Sequence, residues 1–135
     1  MLRWRAGQAR RYALSGDYDV TWKPTTSEVS PQSFGEVVAN HKLAVFHFWA
    51  SWNMVDKKMD EALREIETEH RDHAFFGSVD TECEGHWQKC RDLGVLNLPA
   101  LACFINGEHV ETVIGMRSKK YLSSKVKEWL IAARA

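Results

Sequence analysis

The spacing of apolar residues predicts alternating strands and helices along the chain. Leu43 to Trp49 is a continuous apolar run broken only by His47, which is typical of a central strand buried on both faces. From Asn53 to about His70, apolar residues recur at helical spacing and most other positions are charged, which predicts an amphipathic helix. Its buried positions are expected at Val55, Met59, Ala62, Leu63 and Ile66.

Shorter patterns predict the remaining elements. Ser30 and Pro31 are typical of a helix start, and Asn106-Gly107 is typical of a tight hairpin turn. We expect strands at about 26–29, 73–79, 100–105 and 108–114, and helices at about 31–40, 86–93 and 118–134. The predicted order β-α-β-α-β-α-β-β-α describes an α/β domain with a central mixed sheet flanked by helices.

Composition restricts the class of protein. A length of 135 residues suits one domain. Lysine plus arginine equal aspartate plus glutamate at 18 each, so no overall field attracts nucleic acid or an anionic membrane. No apolar run is long enough to span a membrane, and no ligand spacing indicates a metal or another cofactor. Three cysteines without a C-x-x-C pair suit a reducing compartment, and we expect a cytoplasmic protein.

The first 25 residues differ from the rest. Arg3, Arg5, Arg10 and Arg11 precede any acidic residue. We therefore expect a basic N-terminal arm over 1–25 before a domain over 26–135. The arm is open to three interpretations, namely a solvated segment, a short helix laid on the domain, or a targeting segment that would place the protein in an organelle.

One segment resembles a known active site. Phe48-Trp49-Ala50-Ser51-Trp52-Asn53-Met54-Val55-Asp56-Lys57 resembles the thioredoxin-family segment Phe-Trp-Ala-x-Trp-Cys-Gly-Pro-Cys-Lys. Further matches are Val79-Asp80, Leu98-Pro99-Ala100 and Gly115, and Cys90 to Val95 is similar to part of protein disulfide isomerase domains. The resemblance implies the thioredoxin fold over residues 26–135.

The resemblance places Asn53 and Asp56 where the family has its two cysteines. Neither an amide nor a carboxylate can replace a thiolate nucleophile, so disulfide reduction through these positions is excluded and enzyme activity is not expected. Both residues suit a helix start, where an acid contributes about 0.3 to 1 kcal/mol. His47 occupies the position of a buried aspartate in the family, and we expect it to form a buried polar couple with Asp56. A catalytic His-Asp dyad lacks an evident nucleophile.

The resemblance also implies a peptide-binding groove. Its residues would be Trp52, Met54, Asn97, Leu98, Pro99, Ile114, Gly115 and Met116. In the family the proline is cis and leaves a backbone edge free to pair with a peptide strand. Exposed apolar side chains at Trp52, Met54, Leu98, Ile114 and Met116 would mark a protein-binding surface. We therefore expect a redox-inactive protein- or peptide-binding module of the adaptor or chaperone type.

Two alternatives remain open. Cys83 and Cys90 are candidate redox thiols, singly or as a bridge, which would make the protein a thiol-disulfide oxidoreductase. Cys103 is expected to pack as a buried apolar residue. The apolar rim of the groove could instead join two copies of the chain as a homodimer, or some of its side chains could pack into the core.

Overall fold

The computed structural model describes residues 21–135. Its strands are β1 (Ser27–Glu28), β2 (Leu43–Trp49), β3 (Phe75–Asp80), β4 (Ala100–Ile105) and β5 (Glu108–Ile114). Its helices are α1 (Phe34–Asn40), α2 (Met54–His70), α3 (Trp87–Asp92) and α4 (Lys119–Arg134). The order β1-α1-β2-α2-β3-α3-β4-β5-α4 confirms the predicted order. No helix within this range is long and apolar enough to cross a membrane.

The five strands form one mixed sheet in the order β1-β3-β2-β4-β5. β2 pairs in parallel with β3 and antiparallel with β4, and all seven of its residues are buried, as expected for a central strand. In the register, Trp49 lies opposite Asp80, Phe48 lies opposite Ala100, and Ala100 also lies opposite Ile114. The ends of β2, β3 and β5 and the start of β4 therefore meet at one edge of the sheet.

Helices cover both faces of the sheet and create two apolar clusters. On one face, the apolar stripe of α2 packs with α4, whose buried side chains are Leu122, Val126, Trp129, Leu130 and Ala133. On the other face, Phe34 and Val38 of α1 and Cys90 of α3 pack against Phe46 and Phe48. Burial on both faces explains why β2 reads as an almost unbroken apolar run.

The first helix begins later than the sequence suggested. α1 starts at Phe34 and not at Pro31, and a turn occupies the residues before it. The reason is a reciprocal pair of hydrogen bonds: the backbone N–H of Ser30 donates to the Ser33 hydroxyl at 3.0 Å, and the N–H of Ser33 donates to the Ser30 hydroxyl at 3.1 Å. The two serines thus stabilise a separate turn.

The N-terminal half of α2 also differs from the prediction. Val55 is exposed, whereas Asp60, which was expected on a solvated charged face, is 4% exposed. The Asp60 carboxylate accepts a hydrogen bond from the backbone N–H of Thr25 at 2.9 Å and bonds from its hydroxyl at 3.1 and 3.2 Å. Just before Thr25, the ring of Trp22 packs edge-on against Trp49, with centroids 5.3 Å apart. The segment leading into β1 is therefore attached to α2 and to the end of β2.

Gly77 provides a test of how closely β1 packs on β3. A Cβ at this position would lie 2.7 Å from Phe75 Cε2 and 2.8 Å from Val29 Cγ2. We expect Gly77→Ala to lower the free energy of unfolding by about 1 to 3 kcal/mol because the added methyl group overpacks the site. Urea unfolding would measure this loss. The control is Gly35→Ala in α1, where an added Cβ meets nothing within 4 Å, and an equal loss in both variants would contradict the packing argument.

Candidate functional site

The turn between β2 and α2 is built around the start of the helix. Asn53 is the N-cap of α2, and its side-chain oxygen accepts a hydrogen bond from the Val55 backbone N–H at 3.0 Å. Asp56 lies in the first turn of the helix, where the helix dipole favours a negative charge. Both residues that replace the family's cysteines thus stabilise the helix terminus, as the sequence suggested.

His47 and Asp56 form the expected buried couple. Nε2 of His47 lies 2.9 Å from Oδ1 of Asp56, and both side chains are fully buried. The other carboxylate oxygen of Asp56 accepts the backbone N–H of Ala50 at 3.1 Å. One carboxylate therefore connects the middle of β2, the turn after it and the first turn of α2.

Burial dominates the electrostatics of this couple. It raises the pKa of the Asp56 carboxyl above its usual value, while the hydrogen bond and charge of His47 and the N–H of Ala50 act in the opposite direction. A charge so deeply buried requires its partners. The arrangement therefore depends on both His47 and Ala50, and it contains no nucleophile.

The structure brings the expected groove residues to the same edge of the sheet, with different exposures. Met54 is 51% exposed and Met116 is 37% exposed, whereas Trp52 and Ile114 are half-buried against the cluster beneath α1 and α3. Leu98 was expected to be exposed, but its side chain packs into that cluster and is only 8% exposed. Among the expected groove residues, exposed apolar surface is therefore contributed mainly by the two methionines, and Trp52 lies between the core and the surface.

The backbone before β4 also differs from the expected free edge. The Leu98–Pro99 peptide bond is cis. The N–H of Leu98 donates to the side-chain oxygen of Asn97 at 2.9 Å, and its C=O accepts the side-chain amide of Asn53 at 3.5 Å. The C=O of Pro99 accepts the Gly115 N–H at 2.8 Å. Both polar backbone groups of Leu98 therefore have partners within the chain.

The cysteines are free and are not activated as nucleophiles. Cys83 is exposed, but partial desolvation of its thiol and the nearby carboxylates of Asp80, Glu28 and Glu84 raise the pKa of that thiol. Cys90 is buried, and burial raises the pKa of its thiol to about 11. Cys103 is buried in β4 as predicted, and burial raises its pKa further. Because thiol exchange requires a thiolate, these environments disfavour it at neutral pH.

An acidic pair beside the turn was missed by the sequence reasoning. The half-buried Glu82 carboxylate accepts a long hydrogen bond of 3.5 Å from the hydroxyl of Ser51, and the backbone N–H of Glu82 donates to Asp80 at 2.9 Å. Burial and the charge of Asp80 raise the pKa of Glu82 from 4.5 to about 7, against the effect of Ser51. The available signal was two acids spaced by one residue at the carboxyl end of a strand, because ligand and active sites commonly lie there.

Two further features of residues 21–135 were candidates for a site. Among residues 21–135, no group of three or more His, Cys, Asp or Glu side chains could hold a metal ion. A cavity of about 330 Å³ lies at the opposite end of the sheet, where its lining includes His41 and Arg71. His41 Nδ1 bonds the Val37 carbonyl at 2.9 Å, and Arg71 pairs with Glu67 at 3.2 Å. These polar groups are thus already engaged within the chain.

Comparison with known proteins agrees with this geometry. The thioredoxin family model matches residues 25–128. The chain belongs to the thioredoxin family. Thioredoxin of Pyropia yezoensis is 30% identical over 111 residues, covering 78% of this chain and 98% of that protein. Thioredoxin of Mycolicibacterium smegmatis is 26% identical over 106 residues, which cover 78% of this chain and 95% of that protein. The structure of mitochondrial thioredoxin 3 from Saccharomyces cerevisiae superposes with a TM-score of 0.68 at 16% identity, covering 77% of this chain and 95% of that chain, which confirms the thioredoxin fold.

The buried couple can be tested by removing one partner. We expect Asp56→Ala to lower the free energy of unfolding by about 3 to 5 kcal/mol, because His47 and the Ala50 N–H lose their buried partner. Urea unfolding would measure the loss. Glu36→Ala, which removes an exposed first-turn acid from α1, controls for the helix dipole and should cost less than about 1 kcal/mol.

The double variant His47→Leu/Asp56→Leu completes this test. It removes both polar side chains and should be less destabilised than Asp56→Ala, because the Ala50 N–H alone, and no longer the His47 imidazole, is left without its buried partner. Equal losses in the Asp56→Ala and Glu36→Ala variants would contradict a role for the couple.

Glu82 should make stability depend on pH near neutrality. Its folded-state pKa of about 7 lies above its ordinary value of 4.5. The stability it contributes is therefore fully present below about pH 4.5 and is lost as the pH rises through about 7. Urea unfolding across this window should show a shallower fall in the unfolding free energy for Glu82→Gln than for the wild type. Glu61→Gln, on the exposed face of α2, is the control, and a wild-type slope in Glu82→Gln would refute the assignment.

Proposed function

We propose that this domain is a redox-inactive member of the thioredoxin family that binds a protein or peptide through the groove around Trp52, Pro99 and Gly115. The replaced catalytic cysteines carry the proposal. Asn53 is the N-cap of α2, and Asp56 places a carboxylate in its first turn. The Asp56 carboxylate is also hydrogen-bonded to His47. A role as an adaptor or chaperone-like module needs only the recognition surface of the family and not its sulfur chemistry.

The exposed apolar side chains support a binding role. Met54, Val55 and Met116 are exposed around the site, and Leu96 in the loop before Asn97 is 79% exposed. Exposed apolar groups gathered at one edge of a sheet are typical of protein-binding surfaces. Methionine suits such a surface because its unbranched side chain adapts to partners of different shapes.

The second candidate function is thiol-disulfide exchange through Cys83 and Cys90. It is favoured by relatives that are named thioredoxin, in Pyropia yezoensis and Mycolicibacterium smegmatis among others. It is disfavoured by the raised pKa of both thiols, since the attacking species is the thiolate. We therefore place binding first.

Affinity capture from the native cell tests the groove. Trp52→Ala and Met116→Asp should each reduce recovery of a bound partner by about tenfold or more, because large apolar contacts at the centre of an interface contribute most of the affinity. Quantitative mass spectrometry of the captured proteins gives the measurement. Ile131→Asp, on the exposed face of α4, is the matched control. Unchanged recovery of every partner in the two groove variants would show that the groove proposal is wrong.

Insulin reduction with dithiothreitol separates the two candidate functions. The wild-type protein should not accelerate the appearance of turbidity above the uncatalysed rate, because no described thiol is activated. Cys83→Ser and Cys90→Ser should leave that result unchanged. Activity that survives Asn53→Ala and Asp56→Ala and disappears in Cys83→Ser would favour the oxidoreductase.

A further inference from the structure

The backbone at Leu98 bears on the kind of partner that the groove accepts. Strand addition requires a free backbone donor and acceptor on the receiving edge. At Leu98 the N–H is bonded to Asn97 and the C=O to Asn53, while Pro99 has no N–H and its C=O is bonded to Gly115. An incoming strand would exchange existing hydrogen bonds for new ones. Such an exchange contributes little net free energy to binding.

The side chains around Leu98 offer a different mode of contact. Met54, Leu96 and Met116 project apolar atoms into solvent, and Trp52 is partly exposed between them and the core. Contacts with these groups do not need a free backbone edge. A partner that buries its own main-chain hydrogen bonds and presents only apolar side chains satisfies this requirement, and an amphipathic helix has both properties.

Charge distinguishes the two sides of this surface. On one side, Ser51 holds Glu82 against the turn, and Asp80 lies next to it. Glu28 and Glu84 also lie near this loop, and Lys23 and His86 face Asp80. Burial lowers the pKa of the His86 imidazole, so Lys23 is the lasting positive charge among them. On the other side, the Arg117 guanidinium lies 3.7 Å from the place of a Cβ on Gly115. The side formed by the 80–84 loop is therefore acidic and the side formed by Arg117 is basic, which favours a partner with cations along one flank only.

We propose that the groove receives an amphipathic helix whose apolar face covers Trp52, Met54 and Met116 and whose lysine or arginine flank faces the loop of Asp80 and Glu82. This inference rests on the proposed function, since it names the class of partner for the same groove. It departs from the extended peptide that the resemblance implied.

Two synthetic peptides of identical composition test the inference. Both contain about 18 residues of leucine, lysine and glutamine, one with leucines at helical spacing and lysines along one flank, the other with leucines at alternate positions. Fluorescence anisotropy at about pH 8, where Glu82 is ionised, would measure both affinities. We expect the helical pattern to bind at least about tenfold more tightly.

Variants locate the contacts. Trp52→Ala should lower the affinity for the helical peptide by about tenfold. Glu82→Gln should lower this affinity by a smaller factor and should make it less dependent on salt concentration. Ile131→Ala is the control and should leave the affinity unchanged. Asn97→Ala frees the Leu98 N–H and should improve binding of the alternating peptide alone.

The outcomes separate this inference from the proposed function. Preferential binding of the alternating peptide, lost in Trp52→Ala, would overturn the helical partner and leave the groove function intact. A peptide with glutamate in place of lysine that binds equally well would overturn the charged flank. Affinities unaffected by both Trp52→Ala and Met116→Asp would overturn the groove itself.

Discussion

The hydrogen bond between His47 and Asp56 is the interaction on which the turn between β2 and α2 depends. It joins the centre of the sheet to the first turn of α2 at 2.9 Å, and the same carboxylate holds the Ala50 N–H. Because both side chains are fully buried, neither can form a hydrogen bond with water in place of its partner if the other side chain moves. The turn that presents Trp52 and Asn53 is therefore held from beneath by a buried polar contact, whereas the helices pack on the sheet mainly through apolar side chains.

The proposed binding role and the chemistry of a catalytic thiolate depend on different parts of this structure. The proposed binding surface lies where β2, β4 and β5 meet, and it carries exposed methionine side chains. Sulfur exchange depends on a thiolate at the start of α2, where this chain has Asn53. The environments of Cys83 and Cys90 raise the pKa of their thiols and so favour the protonated form. The proposed function therefore needs only the surface at this edge and no thiolate at the start of α2.

Periodicity was sufficient for the order of elements because β2, α2 and α4 each bury a continuous apolar face. The His47–Asp56 couple was also predictable, since the resemblance gave both positions. Contacts between polar groups distant in sequence were not predictable. Asp60 bonds Thr25, 35 residues away, and Ser51 bonds Glu82, 31 residues away. No local pattern distinguishes such an acid from one that faces solvent, and the burial of Leu98 likewise follows from packing beneath a loop.

The way in which Asp56 is used also restricts how this sequence can change. Restoring a cysteine at position 56 alone would remove the only described partner of the buried His47 imidazole. Restoring one at position 53 alone would remove the N-cap of α2 and the side-chain contact to Leu98. Introducing either cysteine alone would therefore lower the stability of the fold, because each substitution removes a contact that the start of α2 uses.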